Sequence, residues 1–346
     1  MEAYLHDIEQ ELQKIVPHKI EPSFIHSHIG SSFTDKEYPL VEAIISPARD
    51  LLYRGGKRWR PLLMLLVAHM VGGKESYDKA LPLTPLVELP HNGSLIIDDI
   101  EDNSDLRRGE KAIHTIYGTD ISINAGNFLY YYPTLLIDNS SFSSEKKLSL
   151  YQIYARNMRN IHLGQGMDIT WHNNQRMIPT TSAYELMCKM KTGCLAAMGS
   201  ELGCAVASDD QKLITSCGHL GEDIGLLFQM IDDILNLESG NPGKHQGDDI
   251  VENKKSLPII MYIEQFPNQQ EEVFELFAYA KKHGYEKSQS KILLFLEKIN
   301  DSGVLQQARF DALKMHKELI ARIHSLFDES KEREHILNLM DFIVSQ

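Results

Sequence analysis

The chain has 346 residues, 42% of them hydrophobic, enough for a substantial core in one large domain or two. Its 48 acidic residues outnumber 35 basic ones, for a formal charge of −13, which argues against nucleic acid as a partner and leaves the basic residues as local clamps. The cysteines Cys188, Cys194, Cys204 and Cys217 form no Cys-x-x-Cys pair, so zinc and disulfides are not expected, and reduced core thiols in a cytoplasmic protein are.

Met1 to Val16 is amphipathic but carries four acids and lacks the basic-then-apolar layout of a secretory signal, so export is not expected. Pro17 to Tyr38 is rich in Ser, His and Pro and reads as an irregular connection. His26 and His28 lie in it, and exposed histidines explain them more simply than a metal site does. Residues 1–37 are therefore read as an arm and linker, and 38–346 as one all-helical domain, since no shift in composition divides the rest.

Gly55-Gly56-Lys57-Arg58-Trp59-Arg60-Pro61 is a basic cluster at a turn. It leads into a helix marked by Leu62, Leu63, Leu65, Leu66, Met70 and Val71. That run, broken by His69, falls short of the roughly eighteen apolar residues of a membrane-spanning helix. Pro90 lies inside the next helical pattern, where it removes the bond to Leu86 and is expected to kink the helix. After it come Ile97-Asp98-Asp99-Ile100 with Asp102, and then Arg107-Arg108-Gly109. Lys191-Thr192-Gly193 is a further basic turn. Ile224, Leu227, Phe228, Ile231 and Leu235 mark a second helix that repeats the acidic tetrapeptide as Ile231-Asp232-Asp233-Ile234, followed by Asn236. A Gly/Pro loop from Ser239 to Gln246 carries Lys244, and Lys254 follows. Leu293, Leu294, Leu296 and Ile299 mark a third helix. With no alternating strands and no glycine-rich nucleotide loop, an all-α bundle is expected.

The acidic repeat carries the chemistry. Asp98 and Asp102 stand at i and i+4 and share one helix face, as do Asp232 and Asn236. Two carboxylates about 5.5 Å apart repel by roughly 3 kcal/mol at an effective dielectric near 20. A solvated patch would relieve this, but Leu95, Ile96, Ile97 and Ile100 in one copy and Leu227, Phe228, Ile231 and Leu235 in the other place the acids beside packed apolar surface. A hard divalent cation is the partner that oxygen ligands select, and magnesium completes its shell with water and substrate phosphate. Phosphate is then the substrate's handle, and the basic clusters are its clamps.

With these residues in view, the chain resembles the trans-isoprenyl diphosphate synthases, most closely the geranylgeranyl diphosphate synthase type, over about residues 50 to 260. His91 to Ser104 followed by Leu106-Arg107-Arg108-Gly109 looks like that family's first aspartate-rich motif. Gly164-Gln165-Gly166-Met167-Asp168 and Phe228-Gln229 before Asp232-Asp233 match further motifs, as do Gly243-Lys244 and Gly247 to Pro258. The resemblance implies an isoprenoid synthase type helical bundle around a central active-site cavity, and a homodimer. It implies Asp98, Asp102 and Asp232 as principal ligands of a cluster of about three magnesium ions, with Asp99 and Asp233 supporting them. It gives Arg107, Lys191, Thr192, Gln229, Lys244 and Lys254 to an allylic diphosphate, and Lys57, Arg60, His91 and Arg108 to isopentenyl diphosphate.

The implied reaction ionises the allylic substrate, and no nucleophile-and-base pair is needed because the proton leaves to the released diphosphate. Gly93 and Ser94, one turn before Asp98, are small and cannot make an early floor, and His162 resembles a residue that closes the pocket. A product longer than fifteen carbons is then favoured, and the resemblance implies about twenty. Asn253, Asn127 and Asn236 depart from the family's commonest residues without touching the expected principal ligands. A farnesyl diphosphate synthase, a class I terpene cyclase and a non-catalytic subunit of a synthase are the alternatives. Lys57, Arg60 and His91 argue against the cyclase, and intact acids at both motifs argue against the subunit.

Overall fold

The computed structural model describes residues 1–28, 36–174, 176–240 and 245–345. Helices dominate, and the strands among these residues are the two-residue pair Leu106–Arg107 and Glu110–Lys111, an antiparallel hairpin closed at Gly109. The chain forms two compact units, one of Met1–Met158 with Met198–Gly218, the other of Arg159–Ala197 with His219–Gln346. No described helix is long and apolar enough to cross a membrane. All four cysteines are buried and free.

In the first unit the amphipathic N-terminus is the helix Glu2–Ile15, and Ile8, Leu12 and Ile15 are buried. A short helix, Pro22–His28, interrupts the connection that follows. The apolar helix spans Trp59–Ala80, with non-helical backbone at Gly72 and Gly73, where Gly73 has φ 67°. Its core contact is a backbone crossing with Cys194–Ala207: a Cβ on Gly203 would lie 2.2 Å from the Met64 carbonyl oxygen. The helix Pro85–Glu101 is one element that runs through Pro90. It crosses Thr119–Tyr131 at two glycines, since a Cβ on Gly126 would lie 2.9 Å from Ile97 and one on Gly93 would lie 2.7 Å from the Gly126 carbonyl oxygen.

In the second unit the helix Gln211–Glu238, which enters that unit at His219, carries the second acidic motif. Gln270–Asp301 includes the third expected helix, broken by left-handed Gly284. Its core-facing residues are Ile292, Phe295, Leu296 and Ile299, whereas Leu293 and Leu294 are exposed. They pack with Val273, Phe277, Tyr262 and Ile263 in one apolar cluster.

Candidate functional site

The first acidic motif ends the helix Pro85–Glu101, which places Asp98 and Asp102 one turn apart, both partly exposed. Asp99 points the other way and is fully buried. Its Oδ1 accepts from Arg107 Nε at 2.8 Å and from Nη2, while Oδ2 has no hydrogen-bond partner. Burial pushes the Asp99 carboxyl up, and the Arg107 contact offsets part of that. Arg107 also lies 3.5 Å from the Asp98 carboxylate. Its hairpin is held from behind by Arg54, which donates to the carbonyls of Arg107 and Lys111 at 3.2 and 2.8 Å.

Farther up the same helix, His91 is packed among guanidiniums. Arg60 Nη1 lies 3.5 Å from its Nε2, and Arg60 also stacks on Trp59 at 4.5 Å. Burial, then Arg60, Arg108, Arg58 and Arg107, hold the imidazole well below its usual range. His91 is therefore held neutral at pH 7, with Arg60 its nearest cation. Burial lowers Arg108 to about 10, with Arg58 and Arg107 adding to the effect and Glu88 opposing it. Within the cluster Arg58 is matched by Glu9 and Glu88, and Arg107 by Asp98 and Asp99. Lys57 stands exposed on the turn made by Gly55 (φ 86°) and Gly56 (φ 152°).

Gly93 is packed rather than open. A Cβ there would also meet Leu129 Cβ at 3.1 Å and the Tyr130 ring at 3.2 Å. The small residue admits the crossing helix, and an aromatic ring, not free space, stands beside it. The expectation that Gly93 leaves a floor open is corrected on that ground. Ser94 turns its hydroxyl back to the His91 carbonyl at 2.9 Å.

In the second unit, Lys189–Gly193 is a turn of π-helix, a form that concentrates at functional sites. Two close backbone approaches shape it: a Cβ on Gly164 would lie 2.3 Å from the Lys191 nitrogen, and one on Gly225 would lie 2.5 Å from the Gly193 Cα. The turn presents Lys191, paired with Asp168 at 2.6 Å, and Thr192, which donates to Gln229 Oε1 at 3.0 Å. Gln229 Nε2 in turn donates to Asp233 Oδ1 at 2.8 Å. Asp233 Oδ2 accepts from Tyr184 at 2.7 Å and from the Leu257 amide at 2.8 Å. Burial pushes Asp233 up to about 6, opposed by its donors Tyr184 and Gln229.

Asp233 is thus tied to protein donors as Asp99 is, while Asp232 is partly exposed. Asn236, read from sequence as another oxygen ligand, is fully buried, and its Oδ1 faces the Asp249 amide at 3.4 Å. Lys254 pairs with Glu252 at 2.6 Å. The neighbouring Lys255 is buried, donates to Asn253 Oδ1 at 2.7 Å and lies 4.2 Å over the Phe277 ring. His162 is on an exposed face of Ser144–Asn173. Lys244 lies outside the described residues.

Among the described residues, no three His, Cys, Asp or Glu side chains converge on one metal position. The donor set still fits magnesium, which takes one or two carboxylates and fills its shell from water and phosphate. Sequence reasoning missed Arg58, Glu88, Asn92, Tyr130 and Tyr184. Arg58 sat inside the quoted basic cluster, and the others carry no local signal because their roles depend on which helix they meet.

The chain matches the family described as Polyprenyl synthetase over residues 41–293. It is 30% identical over 306 residues to a geranylgeranyl pyrophosphate synthase of Geoglobus acetivorans, covering 88% of this chain and 91% of that one. It is 31% identical over 306 residues to a geranylfarnesyl diphosphate synthase of Aeropyrum pernix, covering 86% and 92%. The crystal structure of geranylgeranyl pyrophosphate synthetase from Pyrococcus horikoshii Ot3 superposes with a TM-score of 0.84 at 24% identity, over 99% of this chain and 96% of that chain, a likeness of fold.

Proposed function

The chain belongs to the polyprenyl synthetase family, and from that premise we propose that it condenses isopentenyl diphosphate with an allylic diphosphate, releasing inorganic diphosphate and lengthening the prenyl chain. The observation that carries this reading is Arg60 beside His91 at 3.5 Å on the helix that ends in Asp98 and Asp102, with Arg107 and Arg108 on the hairpin that follows. Anion clamps beside cation ligands suit a substrate whose handle is a metal-bound diphosphate.

Lys57, Arg60, His91 and Arg108 bind the diphosphate of isopentenyl diphosphate in this reading. Arg107, Lys191, Thr192, Gln229, Lys244 and Lys254 bind the allylic diphosphate. Magnesium, when bound by Asp98, Asp102 and Asp232, supplies positive charge that draws off electron density as diphosphate departs. Asp99 and Asp233 support the site by orienting Arg107 and Gln229, each through a buried carboxylate. Arg107 and Lys191 stabilise charge that grows on the leaving oxygens, held in place in advance by Asp99 and Asp168. The proton lost from the condensed product passes to the released diphosphate. A protein base is therefore not required.

Product length is read as about twenty carbons from the resemblance to the geranylgeranyl type, with Ser94 small one turn before Asp98. The relatives span this choice, since one is named for the geranylgeranyl product and the other for the geranylfarnesyl product. A cytoplasmic homodimer completes the reading, the dimer being what the family resemblance implies and Ile123 and Tyr131, 40% and 75% exposed on Thr119–Tyr131, being apolar surface that a second copy would cover.

The test is incubation of the purified chain with magnesium, labelled isopentenyl diphosphate and, separately, dimethylallyl, geranyl and farnesyl diphosphates, with products separated by chromatography. A geranylgeranyl product supports the whole reading. A farnesyl product keeps the reaction but moves the limiting wall. Hydrocarbon formed without isopentenyl diphosphate would replace it with a terpene cyclase, and activity only on mixing with a partner synthase would make the chain a subunit.

A further inference from the structure

We infer that Glu9 and Arg58 are positioning residues for the diphosphate of the isopentenyl substrate, acting through Glu88 and Asn92 on Arg108; the inference rests on the reading of that site given above. Five side chains form one line of hydrogen bonds. Arg58 donates from Nε to Glu9 at 2.7 Å and from Nη1 to Glu88 at 2.7 Å. Asn92 donates from Nδ2 to the same Glu88 oxygen at 2.9 Å, and its Oδ1 accepts from Arg108 Nη1 at 3.3 Å.

Two further contacts set the geometry. Arg58 donates to the Leu52 carbonyl at 2.6 Å and Arg108 to the Leu51 carbonyl at 2.9 Å, so both guanidiniums cap the carboxyl end of the helix Tyr38–Tyr53. Unpaired carbonyls at a helix end favour cations. Gly56 leaves room for the pair, since a Cβ there would lie 3.1 Å from Arg58 Nη1 and 3.2 Å from Arg108 Nη2. Arg58 and Arg108 both hold left-handed backbone, at φ 47° and 54°. Residues with a Cβ keep that conformation where their surroundings over-determine it.

Glu9 is the solvent end of the line. The Arg58 and Glu88 side chains are 2% and 3% exposed, and Glu9 is 37% exposed. A buried guanidinium keeps its orientation while its planar fork is matched. With Nε unmatched, Arg58 turns toward Glu88 and competes with Asn92 for the shared oxygen, and Asn92 loses its grip on Arg108. The helix Glu2–Ile15 thereby bears on substrate it does not touch. Arg58→Ala is a poor probe because it strands Glu88 in the interior. Glu9 can be changed at the surface.

The experiment compares full-length wild type, Glu9→Ala and Glu9→Gln, the last of which keeps an acceptor oxygen for Arg58. Glu9→Ala is expected to raise KM for isopentenyl diphosphate about fivefold, with kcat and KM for the allylic diphosphate within about twofold, and Glu9→Gln is expected to restore most of the loss. An unchanged isopentenyl KM, or an equal rise for both substrates, overturns the inference. Glu9→Asp, one methylene shorter, carries the same expectation if the alanine variant does not fold. If the wild type consumes no isopentenyl diphosphate, the condensation reading fails. The inference is then decided by calorimetric affinity for inorganic diphosphate, where a loss of about fivefold in Glu9→Ala supports it and equal affinity refutes it.

Discussion

Replacing Gly164 by alanine adds one methyl group where the helix Ser144–Asn173 meets the π-turn. That Cβ would lie 2.3 Å from the Lys191 nitrogen, 2.7 Å from the Met190 carbonyl carbon and 2.8 Å from the Lys191 Cα. All three are backbone atoms, so no rotamer change relieves the clash. Reaching ordinary contact, which begins at 3.4 Å, requires the turn to retreat by about 1.1 Å. Such overpacking costs about 1–3 kcal/mol. The larger effect falls on function, because Lys191 and Thr192 move with the turn, away from Asp168 and Gln229. A shift of about 1 Å at groups that align a substrate costs about a hundredfold in rate.

Gly166 is the matched control: it lies on the same helix, and a Cβ there meets nothing within 4 Å. Gly166→Ala should be stabilising by about 0.5–1 kcal/mol. Steady-state kinetics and thermal melts of both variants make the assay. Gly164→Ala is expected to lose about two decades in kcat/KM for the allylic substrate and to melt several degrees lower. Wild-type kinetics in Gly164→Ala would refute the claim that this contact sets the position of Lys191.

Asp98→Asn and Asp232→Asn should each lower kcat by about a thousandfold while the far-ultraviolet circular dichroism stays native, since each removes charge needed chiefly in the transition state. Near-normal turnover in either would remove that residue from the mechanism. Lys57→Ala is expected to raise KM for isopentenyl diphosphate and spare the allylic KM; the reverse pattern in initial-rate data would exchange the two diphosphate assignments. Burial, with Lys281 adding and Asp168 opposing, lowers Lys255 to about 7 from 10.5. Because the unfolded chain keeps that proton to higher pH, folding stability should rise between pH 7 and about 10, by up to roughly 1.4 kcal/mol per unit from this one group. Urea denaturation at pH 7 and pH 9 should show a smaller rise in Lys255→Met, and equal rises in both proteins would show that Lys255 is not held in this way.

Apolar spacing placed the helices well, because burying one face is a local property of Leu62 to Val71 or Ile224 to Leu235. It said less about where helices bend, since nothing in the apolar spacing marks the breaks at Gly72, Gly73 and Gly284, which lie in their backbone angles. The reading of the acids as cation ligands rested on their i, i+4 spacing beside apolar residues, both local features of the sequence. The division of labour within each motif did not: Asp99 and Asp233 are the inward members of their pairs, engaged by Arg107 and by Tyr184 and Gln229, residues distant in sequence or reached around a turn. Gly93 shows the same limit. Its small size suggested space, and the space is occupied by a helix whose own Gly126 lies against it.

Among the described residues, four non-glycine positions hold left-handed backbone: Arg58, Asn103, Arg108 and Asn253. Each costs roughly 1–2 kcal/mol against an unstrained position. Selection for heat tolerance alone would therefore drift toward glycine at all four. At Arg58 and Arg108 that drift would delete the guanidiniums that cap the helix Tyr38–Tyr53 at the Leu52 and Leu51 carbonyls. At Asn253 it would delete the amide that donates to the His172 carbonyl and accepts from Lys255. Asn103 is exposed, which makes it the place to begin thermostabilising this protein, because at the other three the side chain that glycine would remove is itself part of a buried hydrogen-bond network.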